Sequence, residues 1–160
     1  MTQLQSSDIL LSIKPKYVER ILSGQKTVEL RKKRLKIDNG TRVWIYSTTP
    51  IAAIVGCAIV SKVECGNPSF IWEKFGNRAA VTRAEFDSYF SDTQMAYALI
   101  LENVFELKNS LSLKEIRKLI RAFRPPQFFQ HLNGMGKTLR LSSRKSRSIQ
   151  RKNASSRRAN

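Results

Sequence analysis

A chain of 160 residues with 41% apolar content is long enough for one domain with a modest core. Its 29 Lys and Arg against 12 Asp and Glu, a formal charge of +17, favour a polyanionic partner, nucleic acid first, over an acidic-surface protein or a free small molecule. A membrane surface is disfavoured, because the basic C-terminal stretch has only Leu139, Leu141 and Ile149 to insert.

The N-terminal "MTQLQSSD" has neither the basic nor the apolar region of a secretory signal, so a cytoplasmic location, or a nuclear one in a eukaryote, is expected. The longest apolar run, residues 51–60, is too short to span a bilayer as a helix and reads as a buried strand. Cys57 lies in that run and Cys65 in "ECGNP"; their spacing fits no zinc site, and both are expected as reduced thiols, one in the core and one in a loop. With His131 as the single histidine, neither a metal nor another cofactor is expected.

"DILLSIKP" predicts a first strand, and Pro15 then suits the first position of a helix. In that helix, "PKYVERILS", Tyr17, Val18, Ile21 and Leu22 share one face, and Gly24 supplies the left-handed position that ends it. A strand at 26–31 follows, then the basic loop "KKRLKIDNG", the strand "TRVWIYSTT", and after Pro50 a long apolar strand to about Val63. "PSFIWEKFG" predicts a short helix. Two capping boxes, Thr82 with Glu85 and Ser112 with Glu115, mark two more. Between these boxes "QMAYALILENVFEL" suits a bent or bulged strand, and "RPPQFFQHL" is a proline-broken end. Strands outnumber regularly interleaved helices, which implies an α+β fold: a small, mostly antiparallel β-barrel decorated by short helices.

Residues 137–160 hold nine Lys and Arg, six serines and no acid, and have almost nothing to bury. A disordered basic tail over 133–160 is therefore expected after a domain at 8–132 and an N-terminal extension at 1–7. "GMGK" at 134–137 is too short for a phosphate-binding Walker loop and reads as a flexible hinge. Without the tail, residues 1–136 keep 20 basic against 12 acidic side chains, so the body is basic in its own right.

In "SGQKTVELRKKR", residues 23–34, Glu29 and Arg31 share a face of a regular strand while Lys26 falls on the other. Lys26 joins them only from a turn or bulge, which Gly24 permits. The three are either a solvated strand edge or the lining of a cleft. In a cleft, Lys26 and Arg31 would hold a phosphate or a base carbonyl, and Glu29 would accept from a base edge or fix the arginine. If they only line a cleft, replacing Lys26 should leave the melting temperature nearly unchanged.

The stretch "LSIKPKYVERILSGQKTVELRKKR" resembles the opening of ASCH domains, members of the PUA-like superfamily, through Gly24, Lys26, Glu29 and Arg31 in the pattern G-x-K-x-x-E-x-R. "PPQFFQHL" resembles the segment that closes such domains, so the likeness spans about residues 8–132. It implies a PUA-like β-barrel with a cleft near the helix-to-strand turn and an RNA-binding or nucleotide-associated, often regulatory, role. Some members are amidohydrolases of an acylated cytidine nucleoside that use a lysine, a threonine and a glutamate; others are associated with ribonuclease activity. Lys26 matches that lysine, whereas Glu29 stands at the threonine position. No release of acetate from acetylated cytidine is expected.

The reading that follows is a protein that binds RNA, with DNA second. The cleft is assigned to Lys26, Glu29 and Arg31, with Lys14 of the Lys-Pro pair, Lys33 and Arg34 of the basic loop, and Tyr46 beside it. Trp44, Phe128 and Phe129 are weighed as base-stacking rings but assigned mainly to the core. Arg144, Lys145, Arg147, Arg151 and Lys152 are the expected phosphate contacts of the tail. A hydrolase using Lys26 and Glu29 on a nucleoside amide or on RNA is the alternative, and a nucleoid- or ribosome-associated accessory protein is the third. No oligomeric state is implied.

Overall fold

The structure, a computed structural model, describes residues 8–142. Its elements run β1 (Ile9–Ile13), α1 (Pro15–Leu22), β2 (Val28–Arg31), β3 (Thr41–Ser47), β4 (Ala53–Gly66), α2 (Pro68–Phe75), a 3-10 turn (Gly76–Arg78), α3 (Arg83–Phe90), β5 (Ala96–Ser112), α4 (Leu113–Leu119) and β6 (Phe129–His131). Both capping boxes form as the spacing predicts, Thr82 with Glu85 at α3 and Ser112 with Glu115 at α4. Pro15 begins α1, and Pro68 begins α2 behind the Asn67 cap.

One six-stranded sheet has the order β2-β5-β4-β3-β1-β6. Only β1 and β3 pair in parallel; every other neighbour is antiparallel. The long β4 and β5 bend through register shifts at Ile54/Gly56, Cys57/Ile59 and Val60/Lys62, and such bulges strengthen the twist that lets a sheet curl. The result is the expected mixed α+β, PUA-like fold, with the barrel expected from sequence present as a curled half-barrel.

Alternation along the strands then divides the core. Ile9, Leu11 and Ile13 of β1, with Val43, Ile45, Leu99 and Leu101, point to the inside of the curl and meet Val18 and Ile21 of α1. Leu10 and Trp44 point the other way, to Ile116 of α4, Phe123 and Leu132. Val28 and Leu30 of β2 pack outward with Ile71, Phe75, Phe86 and Phe90 from α2 and α3. Glu29 and Arg31 are left facing inward, Glu29 in register with the core residue Leu99.

Four expectations change. Tyr46, placed in the cleft by sequence, is 4% exposed within the cluster of Leu10, Trp44 and Ile54, and its phenol is raised above 10.0 by burial; two residues from Trp44 on β3, it shares the face away from Glu29. Cys65 lies within strand β4 and not in a loop. The "PPQFFQHL" segment ends in a strand, β6, paired with β1. Finally, the tail does not begin at 133: residues 135–142 are helical, with Leu139 fully buried in the second cluster. This helix sits so close to β1 that a Cβ on Gly136 would lie 2.7 Å from the Asp8 carboxylate. Asp8 in turn accepts from Trp44 Nε1 at 2.9 Å and lies 3.4 Å from Arg140 Nε. The "GMGK" stretch is thus packed where a hinge was expected, because Leu139 has an apolar slot to fill. Arg144, Lys145, Arg147, Arg151 and Lys152 lie outside the described residues.

Candidate functional site

α1 ends on Ser23, whose N–H reaches Glu19 O at 2.9 Å, and Gly24 then takes φ +82°, where a Cβ would be strained. The reversal lets Lys26 N–H bond back to Arg20 O at 2.8 Å before β2 begins. Lys26 therefore sits in the turn and not in the strand pleat, and its side chain swings to the face of Glu29 and Arg31.

The three side chains form a chain of ion pairs. Lys26 Nζ is 3.3 Å from Glu29 Oε2, and Arg31 Nη2 is 3.1 Å from Glu29 Oε1. All three are buried, at 2%, 6% and 8% exposure, which rules out the solvated strand edge. Burial lowers the Lys26 ammonium below 10.5, with Glu29 opposing the shift.

Both cations also tie down backbone. Lys26 Nζ donates to Ala79 O at 2.6 Å, while Arg20 Nη1 holds the next carbonyl, Ala80 O, at 2.6 Å. Arg31 Nη2 donates to Ser12 O at 3.1 Å. β2 is one edge of the sheet, and the short β6 at the other edge is in register with β1 only as far as Leu11, so the Arg31 bond to Ser12 crosses the gap between β2 and the end of β1 at which the curled sheet fails to close.

A cavity of about 320 Å³ opens at that gap, lined by Lys26, Glu29 and Arg31 and by Tyr17, Tyr89 and Phe128 among others. The volume is at the small end of ligand pockets, room for one nucleotide-sized group. Lys26 has its donors committed to Ala79, Glu29 and, at 5.2 Å, the face of the Tyr17 ring. Arg31 Nε is different: it is buried with no hydrogen-bond partner. An orphaned guanidinium donor on a cavity-lining residue is costly unless something accepts from it.

Of the other residues assigned from sequence, Lys14 lines the cavity and is exposed. Lys33 is exposed and lies over the Phe128 ring at 5.4 Å. Arg34 is exposed on the same loop and does not line the cavity. Tyr89, Glu85, Phe86 and Phe90, all from α3, line it, and none was assigned to the site from sequence. Their only sequence signal is the α3 capping box, which fixes a helix but not where it docks. Lys16 of α1 pairs with Glu85 of α3 at 2.8 Å, and Lys32 with Asp92, just past the end of α3, at 2.6 Å. Among the described residues no cluster of His, Cys, Asp or Glu could hold a metal ion, and no helix is long and apolar enough to cross a membrane.

Comparison with known proteins places the fold. An ASCH domain-containing ribonuclease of Zymomonas mobilis is 28% identical over 120 residues, covering 75% of this chain and 80% of that protein. The crystal structure of ASCH from Zymomonas mobilis superposes with a TM-score of 0.80 at 27% identity, over 87% of this chain and 96% of the other. The large ribosomal subunit protein uL22 of Ureaplasma parvum is 27% identical over 124 residues, 78% of this chain but only 39% of that protein. Residues 7–123 match the family described as a domain of unknown function, DUF365. With that match and a PUA-like half-barrel shared with a solved ASCH structure, the chain belongs to the DUF365 family and carries an ASCH domain.

Proposed function

We propose that the protein binds RNA, in preference to DNA and in a regulatory capacity, by drawing one nucleotide into the cavity at the gap between β1 and β2. The observation that carries this reading is Arg31: a buried guanidinium, fixed by Glu29 and Ser12, whose Nε has no partner, on a residue that lines a nucleotide-sized cavity. A phosphate or a base carbonyl supplies the missing acceptor. Lys26 and Glu29 act one step back, aiming the arginine and joining the α1–β2 turn to the Ala79 segment. The basic loop and the cations beyond residue 142 add phosphate contacts that do not depend on sequence. The ribonuclease named in Zymomonas mobilis and the ribosomal protein of Ureaplasma parvum both lend support to RNA as the polyanion.

Binding of labelled RNA and of DNA of the same sequence at matched salt, with the Arg31→Ala variant, tests the reading. The expected result is tighter binding of RNA and a loss of about tenfold or more in the variant, the scale of a charge-assisted hydrogen bond. Equal binding by Arg31→Ala would remove the cavity from the interaction.

A second reading has one observation in its favour: burial lowers the Lys26 ammonium, which favours the neutral amine that a general base needs, and a relative is named a ribonuclease. In it, Lys26 takes the proton of a ribose 2′-hydroxyl, which attacks the neighbouring phosphorus and expels the 5′-oxygen. Its engagement with Glu29 and Ala79 disfavours this role. Cleavage of RNA by the purified protein, absent in Lys26→Ala variants that still fold, would establish it.

A further inference from the structure

Two rings at the cavity mouth are exposed, Tyr89 with one edge packed on Phe90. Tyr89 of α3 is 40% exposed and Phe128, just before β6, is 45% exposed, yet both line the cavity. They stand on opposite sides of the gap. Tyr89 is on the β2 side, beneath Lys32, whose Nζ is 5.0 Å from its ring centroid. Phe128 is on the β1 side, its carbonyl accepting from Ser12 N–H at 3.0 Å and its ring under Lys33 Nζ at 5.4 Å. The Arg31 bond to Ser12 lies between them. A large apolar ring kept half in water forgoes the gain of burial. Here two such rings flank one small cavity, each under a flexible lysine.

Resting on the reading of the cavity as a nucleotide site, we infer that Tyr89 and Phe128 are base-stacking platforms, giving the site a three-nucleotide footprint. The central base enters the cavity, and its two neighbours stack on the rings. Aromatic faces accept any base, because every base has a π-face. Lys32 and Lys33 cover the rings in the free protein. An arriving base displaces each ammonium toward the adjoining phosphate, exchanging a cation–π contact for an ion pair. Lys32 gives up its exposed pair with Asp92 in doing so, a small cost at the surface. The path of the strand follows from this, since it must cross the β1–β2 gap from one ring to the other.

Calorimetric titration with mononucleotides and with RNA trinucleotides tests the footprint. The trinucleotide is expected to bind more tightly than the mononucleotide. Tyr89→Ala and Phe128→Ala should each weaken trinucleotide binding roughly 5- to 150-fold, the range for one stacked base, and by clearly more than they weaken mononucleotide binding. Tyr89→Phe and Phe128→Trp, which keep a ring, should retain most of the affinity, and this separates stacking from damage to the fold. Mononucleotide binding that needs Arg31, together with a trinucleotide bound no more tightly, overturns the footprint and leaves the cavity reading standing. Absence of mononucleotide binding overturns the cavity reading and the footprint with it. Ring-retaining variants as weak as the alanine variants overturn stacking.

Discussion

Arg31 in β2 donates to the carbonyl of Ser12 in β1, although three strands separate the two in the sheet. One guanidinium bridges β2 and β1 where backbone pairing does not, and its Nε is buried without a partner on a residue that lines the cavity. On the proposed reading a structural and a binding role meet in Arg31, while Lys26, also buried, is taken up by Glu29 and Ala79.

The two cations should part company on mutation. Lys26→Ala leaves Glu29 with one partner and the Ala79 carbonyl with none, and breaking a buried pair costs about 3–5 kcal/mol. A clear fall in melting temperature is expected, reversing the small effect foreseen for a residue that merely lines a cleft. Arg31→Lys keeps the charge but cannot reach Glu29, Ser12 and a ligand with one planar fork; its RNA affinity should fall about tenfold or more. Lys33→Ala, an exposed neutralisation in the same region, should lose far less on either measure. Thermal melts and fluorescence anisotropy on the three proteins at one salt concentration give the comparison.

How much of this was legible without coordinates follows from the range of the interactions. Gly24, the capping boxes at Thr82 and Ser112, and Pro15 act within a few residues, so the elements they fix could be read from spacing. The approach of Lys26 to Glu29 was legible as well, since it needs only the turn at Gly24. Arg31 with Ser12 was not, because it depends on the sheet curling through bulges in β4 and β5. α3 over the cavity was also hidden: Tyr89 carries no local mark to separate it from Tyr46, which sequence placed in the cleft and packing places on the other face. Leu139 looked like a stray apolar residue in a basic tail until the slot beside Leu10 and Trp44 was seen.

Glu29→Gln gives a prediction in pH. In the native protein burial already lowers Lys26 below 10.5, and Glu29 is the main opposing influence. Its loss should lower Lys26 further, so that the folded protein holds fewer protons than the unfolded chain over a wider window below 10.5. Stability rises with pH wherever the unfolded state binds more protons. The variant should thus be destabilised at neutral pH and recover as pH climbs toward 10.5, with a steeper slope than the native protein. Melting temperatures measured from about pH 7 to 10 give the test, and parallel curves for the two proteins would refute it. RNA binding should weaken despite the gain in positive charge, because Arg31 loses the carboxylate that aims it.

The capping box of α3 should act on the site from outside it. Thr82 Oγ1 accepts from Glu85 N–H at 3.1 Å, and Glu85 Oε2 accepts from Thr82 N–H at 2.9 Å. Glu85 also accepts from Lys16, the largest of the influences that bring its carboxyl to about 2. Thr82→Ala should cost about 1 kcal/mol and loosen α3, which carries Tyr89. Trp72 reports on this, since its ring lies 4.9 Å from Phe86 of α3, whereas Trp44 is buried in another cluster. A change in Trp72 emission accompanied by weaker RNA binding is expected. The same change should appear in the native protein as pH falls from 4.5 toward about 2, where protonation of Glu85 removes the pair with Lys16. That contribution is fully present above 4.5.

Truncation at two points separates the packed C-terminal segment from the basic residues beyond it. Ending the chain after residue 142 removes Arg144, Lys145, Arg147, Arg151, Lys152, Arg157 and Arg158 but leaves Leu139 in its slot and Arg140 beside Asp8. The melting temperature should hold. The slope of log K against log salt for RNA should fall by roughly 0.7 for every phosphate contact those residues make with a single strand. Ending the chain after residue 134 removes the helical segment as well. Leu139 is fully buried, so its loss should cost on the order of 2–5 kcal/mol, the range for deleting a large core side chain, and Asp8 would keep only Trp44 as a partner. Leu139→Ala in the full-length chain should reproduce most of that destabilisation with the salt slope unchanged. If the shorter truncation melted with the longer one, the helix at 135–142 would not be part of the folded unit. If the slope stayed fixed on removing the seven cations, the phosphate contacts would belong to the barrel alone.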